Sequence, residues 1–262
     1  MDQITLFGLT IENATLSDAS MRIIRDAESG LHRKIYFVNA HCVNVAAMDR
    51  DYLSVLQAAD LLFADGIGMR IASKWAGLPL IDNVNGTDLF PVICRDAAAA
   101  GVRIGLLGAR PGIAQQCADN MKQQFPDLKI VWLHDGYFAP NTEADLIAAV
   151  NNSGAQILFV AMGVPMQELW INRHADSLRT PVLLGVGALF DFYSGAVPRA
   201  PLLMRQWGLE WLFRLMIEPR RLFRRYVLGN PIFLFRASWR RLKGKEALQE
   251  NPLQKSSLRN NS

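Results

Sequence analysis

Three kinds of feature are missing from this 262-residue sequence, and each absence narrows what the chain can be. There is no Cys-x-x-Cys pair: Cys42, Cys94 and Cys117 stand far apart and read as free thiols of a reducing compartment. The histidines, His32, His41, His134 and His174, have no metal-ligand spacing, so no zinc site is predicted. No window of about 20 residues is apolar throughout, as a membrane-spanning helix requires. The longest runs are interrupted, 181–198 by Asp191 and several glycines and 226–235 by Gly229 and Pro231. The opening Met-Asp-Gln-Ile-Thr lacks the basic start and apolar core of a secretory signal.

What is present is a chain that is 50% hydrophobic, enough for one sizeable domain plus an appendage. Its net charge of +4 is unevenly spread. Residues 199–245 hold twelve Lys/Arg against two Glu, a net of +10, so the rest carries −6. A mildly acidic body with a basic C-terminal segment predicts that this segment meets something anionic.

Short apolar runs at 4–11, 35–40, 61–65, 103–109, 128–133, 156–163 and 181–187 read as strands. Between them, 15–29, 42–59, 85–100, 111–125, 142–152 and 165–178 read as helices, with Asn85-Gly86-Thr87-Asp88 and the prolines Pro111 and Pro165 as starts. Continuous apolar strands alternating with helices predict an α/β fold, with a largely parallel sheet covered on both faces. Residues 1–200 form the body, 201–245 a basic helical appendage, and 246–262 a polar tail expected to be disordered.

The chain is organised around Leu61-Leu-Phe-Ala-Asp65-Gly66-Ile-Gly68-Met69. A buried strand ends abruptly in Asp65-Gly66, and helix-compatible sequence follows. A carboxylate at the carboxyl end of a strand sits where α/β sheets bind ligands. Asp65 is therefore a catalytic base or a ligand contact; otherwise it forms an Asx turn or caps the next helix. Gly105-x-x-Gly108-x-x-x-Gly112 is not the dinucleotide fingerprint, and its glycines fit turn geometry and helix packing. Asp49-Arg50-Asp51 has the form of a metal–diphosphate motif but falls inside a predicted helix and reads as a solvated face. With no evident metal site, a diphosphate leaving group needs cationic side chains. Gln167 and Glu168 open a helix after a strand, as site residues or as a cap. The loop 185–201, dense in glycine and proline, carries Asp191 and Arg199 and reads as a binding loop.

From Leu202 the pattern turns amphipathic and aromatic. A helix is predicted over 201–218, and beyond it Phe223, Tyr226, Phe233, Phe235 and Trp239 are interleaved with arginine. Basic plus aromatic without spanning length predicts a membrane-surface segment. No helix-turn-helix, zinc finger or RNP pattern supports nucleic acid as the anionic partner.

Taken in order, Asn39-Ala40, Ala64-Asp65-Gly66, Asn85-Gly86-Thr87-Asp88-Leu89, Leu107-Gly108, Asp135-Gly136-Tyr137-Phe138, Ala161-Met-Gly-x-Pro-x-Gln167-Glu168, Gly185-Val-Gly187-Ala-x-Phe-Asp191, Arg199-Ala-Pro201 and Gly208-Leu-Glu-Trp-Leu-x-Arg214 resemble the WecG/TagA/CpsF family of bacterial glycosyltransferases. The resemblance implies a Rossmann-like fold and inverting, metal-independent transfer of one sugar, with no cofactor. The donor is a UDP-sugar. The acceptor is a polyprenyl-diphosphate-linked saccharide at the cytoplasmic face of the inner membrane, where the protein is peripheral. N-acetylmannosamine, its uronic acid and glucose all fit as the sugar. By the same resemblance Asp65 is the base, Gln167 lines the pocket, Asp191 lies at the nucleotide, and Arg214, Arg221 and Arg224 close over the diphosphate. Asn39, Asn85, Thr87, Gly108, Gly187 and Arg199 complete the expected substrate contacts. Some relatives carry a threonine two residues before the Asn39 position; this chain has Phe37. The other reading is a non-catalytic partner subunit that binds a nucleotide-sugar or a second transferase at the membrane. The protein can also form a homo-oligomer off the membrane.

Overall fold

The structure, a computed structural model, describes the backbone of residues 2–250 and the side chains through Trp239. Its centre is an eight-stranded sheet in the order β1-β2-β4-β3-β8-β7-β5-β6. The strands are β1 (Asp2–Leu6), β2 (Leu9–Asn13), β3 (Arg33–Val38), β4 (Leu61–Ala64), β5 (Arg103–Gly108), β6 (Lys129–His134), β7 (Ile157–Ala161) and β8 (Val182–Gly185). All neighbours pair parallel except β1 and β2. The predicted single strand over 4–11 is thus a hairpin. Phe7 and Gly8 both take positive φ, 57° and 78°, the two-residue turn whose twist matches its strands. Phe7 accepts that backbone because its ring packs on Phe233, with centroids 5.3 Å apart.

Helices cover both faces, as the alternation predicted. On β3, Ile35 and Phe37 enter one core cluster and Tyr36 and Val38 the other, the period of two expected of a strand buried on both sides. The first cluster is roofed by α1 (Leu16–Glu28), α5 (Gly86–Ala100), α6 (Ile113–Gln124) and α9 (Leu189–Tyr193). The second lies under α2 (Ala40–Ala46), α3 (Arg50–Gln57), α4 (Ile67–Trp75), α7 (Glu143–Ser153) and α8 (Met166–His174).

Two predicted helices are broken. The pattern over 42–59 splits into α2 and α3 because Asp49 caps α3, its carboxylate accepting from Tyr52 N at 3.0 Å. The pattern over 201–218 splits into α10 (Leu202–Gln206) and α11 (Glu210–Ile217). At that break Gly208 has φ +71°, and a Cβ there would lie 2.9 Å from Ile67, the first residue of α4. Only glycine lets α11 approach the turn after β4 so closely.

Beyond α11 come α12 (Pro219–Phe223), a π-helical turn over Arg224–Leu228 and α13 (Gly229–Glu250). Helix α13 packs on α2 and α4, with Phe233 and Ala237 buried in the second cluster. The segment expected as an appendage therefore contributes to the core of the body. Residues 246–250 of the expected tail continue α13, and 251–262 lie outside the described residues. Among the described residues no helix is long and apolar enough to cross a membrane.

Candidate active site

Strand β3 feeds α2 on one face of the sheet, and its neighbour β8 feeds α9 on the other. Diverging connections at the carboxyl ends of neighbouring strands mark the place where ligands bind such sheets. Asp65 stands beside it. Its N–H donates to Val38 O at 2.9 Å, extending the β3–β4 pairing by one residue. Gly66, at φ 87°, then turns the chain into α4, and its N–H donates to Asn83 Oδ1 at 2.7 Å.

The capping role for Asp65 is not realised: Gly66 occupies the N-cap of α4 and no side chain caps that helix. The carboxylate instead accepts from Asn39 Nδ2 at 3.3 Å. Asn39 is itself held at the N-cap of α2, its Oδ1 accepting from His41 N and Cys42 N at 3.0 and 3.2 Å. Asn39 thus cannot swing away without uncapping a helix. Burial pushes the half-buried Asp65 carboxyl above its ordinary range. The Asn39 hydrogen bond, then Arg225 and Arg214, oppose that rise, and Asp88 adds to it.

Around this carboxylate lies a charged cluster drawn from distant segments. Arg199 reaches Asp88 in the first turn of α5 through Nη2 and Glu210 through Nε at 3.5 Å. Arg205 stands 3.9 Å from Asp88. Burial raises the Glu210 carboxyl, Arg199 lowers it, and the charges of Asp65 and Asp88 add to the rise. Arg214 lies over the Phe192 ring, 5.1 Å from its centroid. The Nε groups of Arg205, Arg214 and Arg225 are buried with no hydrogen-bond partner among the described residues. Buried guanidinium N–H groups left unpaired are costly, and a bound anion satisfies them. Among the described residues no three His, Cys, Asp or Glu side chains converge as metal ligands.

The sequence pattern of the glycosyl transferase WecG/TagA/CpsF family matches residues 4–247. The chain belongs to this family. A relative from Bacillus spizizenii, an N-acetylglucosaminyldiphosphoundecaprenol N-acetyl-β-D-mannosaminyltransferase, is 36% identical over 171 residues. That alignment spans 65% of this chain and 65% of the relative's own length.

Against the WecG/TagA/CpsF pattern, the remaining expected residues divide into those at the charged cluster and those that build its frame. Arg225, half-buried, is the cation of the π turn that acts on Asp65; it also helps burial push His41 down to about 4. Arg221 is exposed and bound to Glu218 at 2.7 Å, and Arg224 is exposed. Arg221 lies in α12, and Arg224 opens the π turn that follows it.

Gln167 is 3% exposed, and its amide is fully engaged. Its Oε1 accepts from Gly163 N at 3.1 Å and Gly187 N at 2.8 Å, and its Nε2 donates to Glu168 at 2.8 Å. It ties the loops after β7 and β8 together, and Gly187 is its partner there. Asn85 caps α5 and donates to Asp88 at 2.6 Å. The Thr87 carbonyl accepts from Tyr193 at 2.6 Å. Gly108 lies where the backbones of β5 and β7 meet too closely for a Cβ. Asp191 sits in the first turn of α9 and pairs with no cation among the described residues. Phe37 stacks on Phe63 and lies against Gly86 at the start of α5. Asn83, Arg205 and Arg225 are the frame and cluster residues that the sequence did not single out; Gly208 and Glu210 entered only as part of the motif that leads to Arg214.

Proposed function

We propose that the protein transfers one sugar, with inversion and without a metal, from a UDP-sugar to a saccharide linked to polyprenyl diphosphate. The observation that carries this reading is the Asp65 carboxylate, held by Asn39 at a strand end with the charges of Arg225 and Arg214 acting on it. Asp65 takes the proton of the acceptor hydroxyl as its oxygen attacks the anomeric carbon. The bond from that carbon to the diphosphate oxygen breaks, and UDP departs with the electron pair. Arg214 and Arg225, whose Nε–H groups have no hydrogen-bond partner among the described residues, stabilise the departing charge. A carboxyl raised by burial is a better base near neutral pH than an ordinary one.

The relative's name supports a diphosphate-linked N-acetylglucosaminyl acceptor and N-acetylmannosamine as the first sugar to try. The protein works peripherally at the cytoplasmic face of the membrane. The basic C-terminal segment shares one site with Asp65, which favours an enzyme over a non-catalytic partner subunit. The test is purified protein with a panel of UDP-sugars and a short-chain polyprenyl-diphosphate-linked N-acetylglucosamine, with and without excess EDTA. Transfer that survives EDTA is expected. No transfer from any donor, or complete loss with EDTA that Mg²⁺ restores, overturns the reading.

A further inference from the structure

A groove of about 530 Å³ opens between the β1–β2 hairpin, α2, α3 and α13, within the roughly 300–1,000 Å³ typical of small-molecule sites. Nine of its ten lining residues are apolar, among them Leu9, Val43, Ala47, Ile232 and Phe235, so water is a poor occupant. The exception is Arg236, whose Nε is buried with no hydrogen-bond partner among the described residues. Phe233 packs on Phe7 of the groove wall and lies beside Gly68, three residues after Asp65. Helix α2 also spans both sites: Asn39 at its N-cap holds Asp65, while Val43, Ala46 and Ala47 line the groove. Its seven residues cover only about 10 Å.

We propose that this groove receives the isoprene units nearest the diphosphate of the lipid-linked acceptor. The inference rests on the proposed transferase reading and gives its acceptor a binding site for the lipid as well as for the head. The acceptor carries a diphosphate of its own, apart from the UDP that Arg225 meets. The groove offers apolar walls along the helix whose N-cap holds Asp65, and Arg236 in its lining offers an unpaired Nε–H to that diphosphate. A second copy of this chain would also find apolar surface here but brings no diphosphate to Arg236, and a phospholipid brings only a single phosphate.

Equilibrium binding, free of any transfer step, tests this. The probes are farnesyl diphosphate, inorganic diphosphate and dihexanoyl phosphatidylglycerol, titrated into the full chain. Farnesyl diphosphate is expected to bind at least about tenfold tighter than inorganic diphosphate, since each buried methylene contributes. Ala47→Trp, which fills the groove from an exposed position, should bring that ratio near one; Ile232→Asp is the second variant should the first not fold. Equal affinities in the unaltered protein overturn the proposal, as does an advantage that survives both variants. It also fails if phosphatidylglycerol binds as tightly, or if sedimentation finds a dimer that Ala47→Trp dissociates. A protein that shows the farnesyl preference but transfers no sugar keeps the groove and loses the transferase reading.

Discussion

At the scale of single residues, the strand-end position of Asp65 was legible, and so was Arg214 as a candidate, while Arg225 was not. An apolar run that stops at Asp-Gly marks a strand end wherever it occurs, and Asn39 ends the neighbouring run in the same way. Arg225 could not be chosen from its neighbours Arg220, Arg221 and Arg224, because the choice depends on a π turn that no periodicity announces. The two assignments make separable predictions. Asp65→Asn keeps the shape and the Asn39 contact but removes the base, so turnover should fall by about 10²–10⁴-fold with the fold unchanged. The raised Asp65 carboxyl should also place the acidic limb of the activity profile above the ordinary carboxylate range, with activity rising as the proton leaves. Arg225→Ala should lower turnover by about 10²–10³-fold, while Arg224→Ala should change it little. Steady-state rates for the two arginine variants decide between those positions.

Glu168 adds a stability prediction at the same scale. It is fully buried, one carboxylate oxygen has no hydrogen-bond partner among the described residues, and burial pushes it up from 4.5 to about 7. Because the native state holds the proton more tightly than the unfolded chain, stability should fall as pH rises through the window from 4.5 to about 7 and level off above it. Glu168→Gln can still meet the Gln167 amide and should flatten that slope. Denaturant midpoints between those pH values measure it, and an unchanged slope would assign the pH dependence to other groups.

At the scale of elements, strands and the α/β alternation were legible because buried parallel strands leave uninterrupted apolar runs. Helix breaks were less so. Asp49 and Gly208 sit inside apolar patterns that a helix period fits, and only tertiary contact shows that one caps α3 and the other rests on Ile67. The Gly208 break has a functional consequence. It sets α11, and with it Glu210 and Arg214, against the turn that carries Asp65. Gly208→Ala combines a left-handed backbone with a Cβ 2.9 Å from Ile67. It should cost about 1–2 kcal/mol of stability. The displaced α11 should lower activity by more than that loss accounts for at a temperature where the variant is folded. Thermal melts beside rate measurements separate the two effects.

At the scale of the whole molecule, the charge imbalance was plain in the sequence, but its packing was not. The basic segment reads as an extension when only composition is considered, yet Phe233 is 1% exposed in the same core as Tyr36 and Leu183. The segment therefore has two faces with different tasks. One completes the core and brings Arg214 and Arg225 to Asp65. The other carries Trp207, Met216, Phe223, Leu228 and Phe235, all exposed. Of the 20 exposed large hydrophobic residues among those described, 11 lie between Leu202 and Trp239, the stretch where the arginines also concentrate. Exposed apolar surface of that kind, mixed with cations, suits a membrane interface. Each basic residue near an anionic bilayer contributes about 1 kcal/mol, so even half of those present can hold the protein there. Because α13 belongs to the core, removing the segment would confound docking with unfolding; point substitutions on its outer face are the sharper test. Phe223→Asp and Leu228→Asp should leave the melting temperature nearly unchanged and reduce co-sedimentation with anionic vesicles. Unaltered protein should bind those vesicles, release them as salt rises, and ignore neutral ones at moderate salt. Equal binding of both variants and the unaltered protein would move the docking face elsewhere on the molecule, and absence of binding to either vesicle type would remove the membrane from the account of the basic segment.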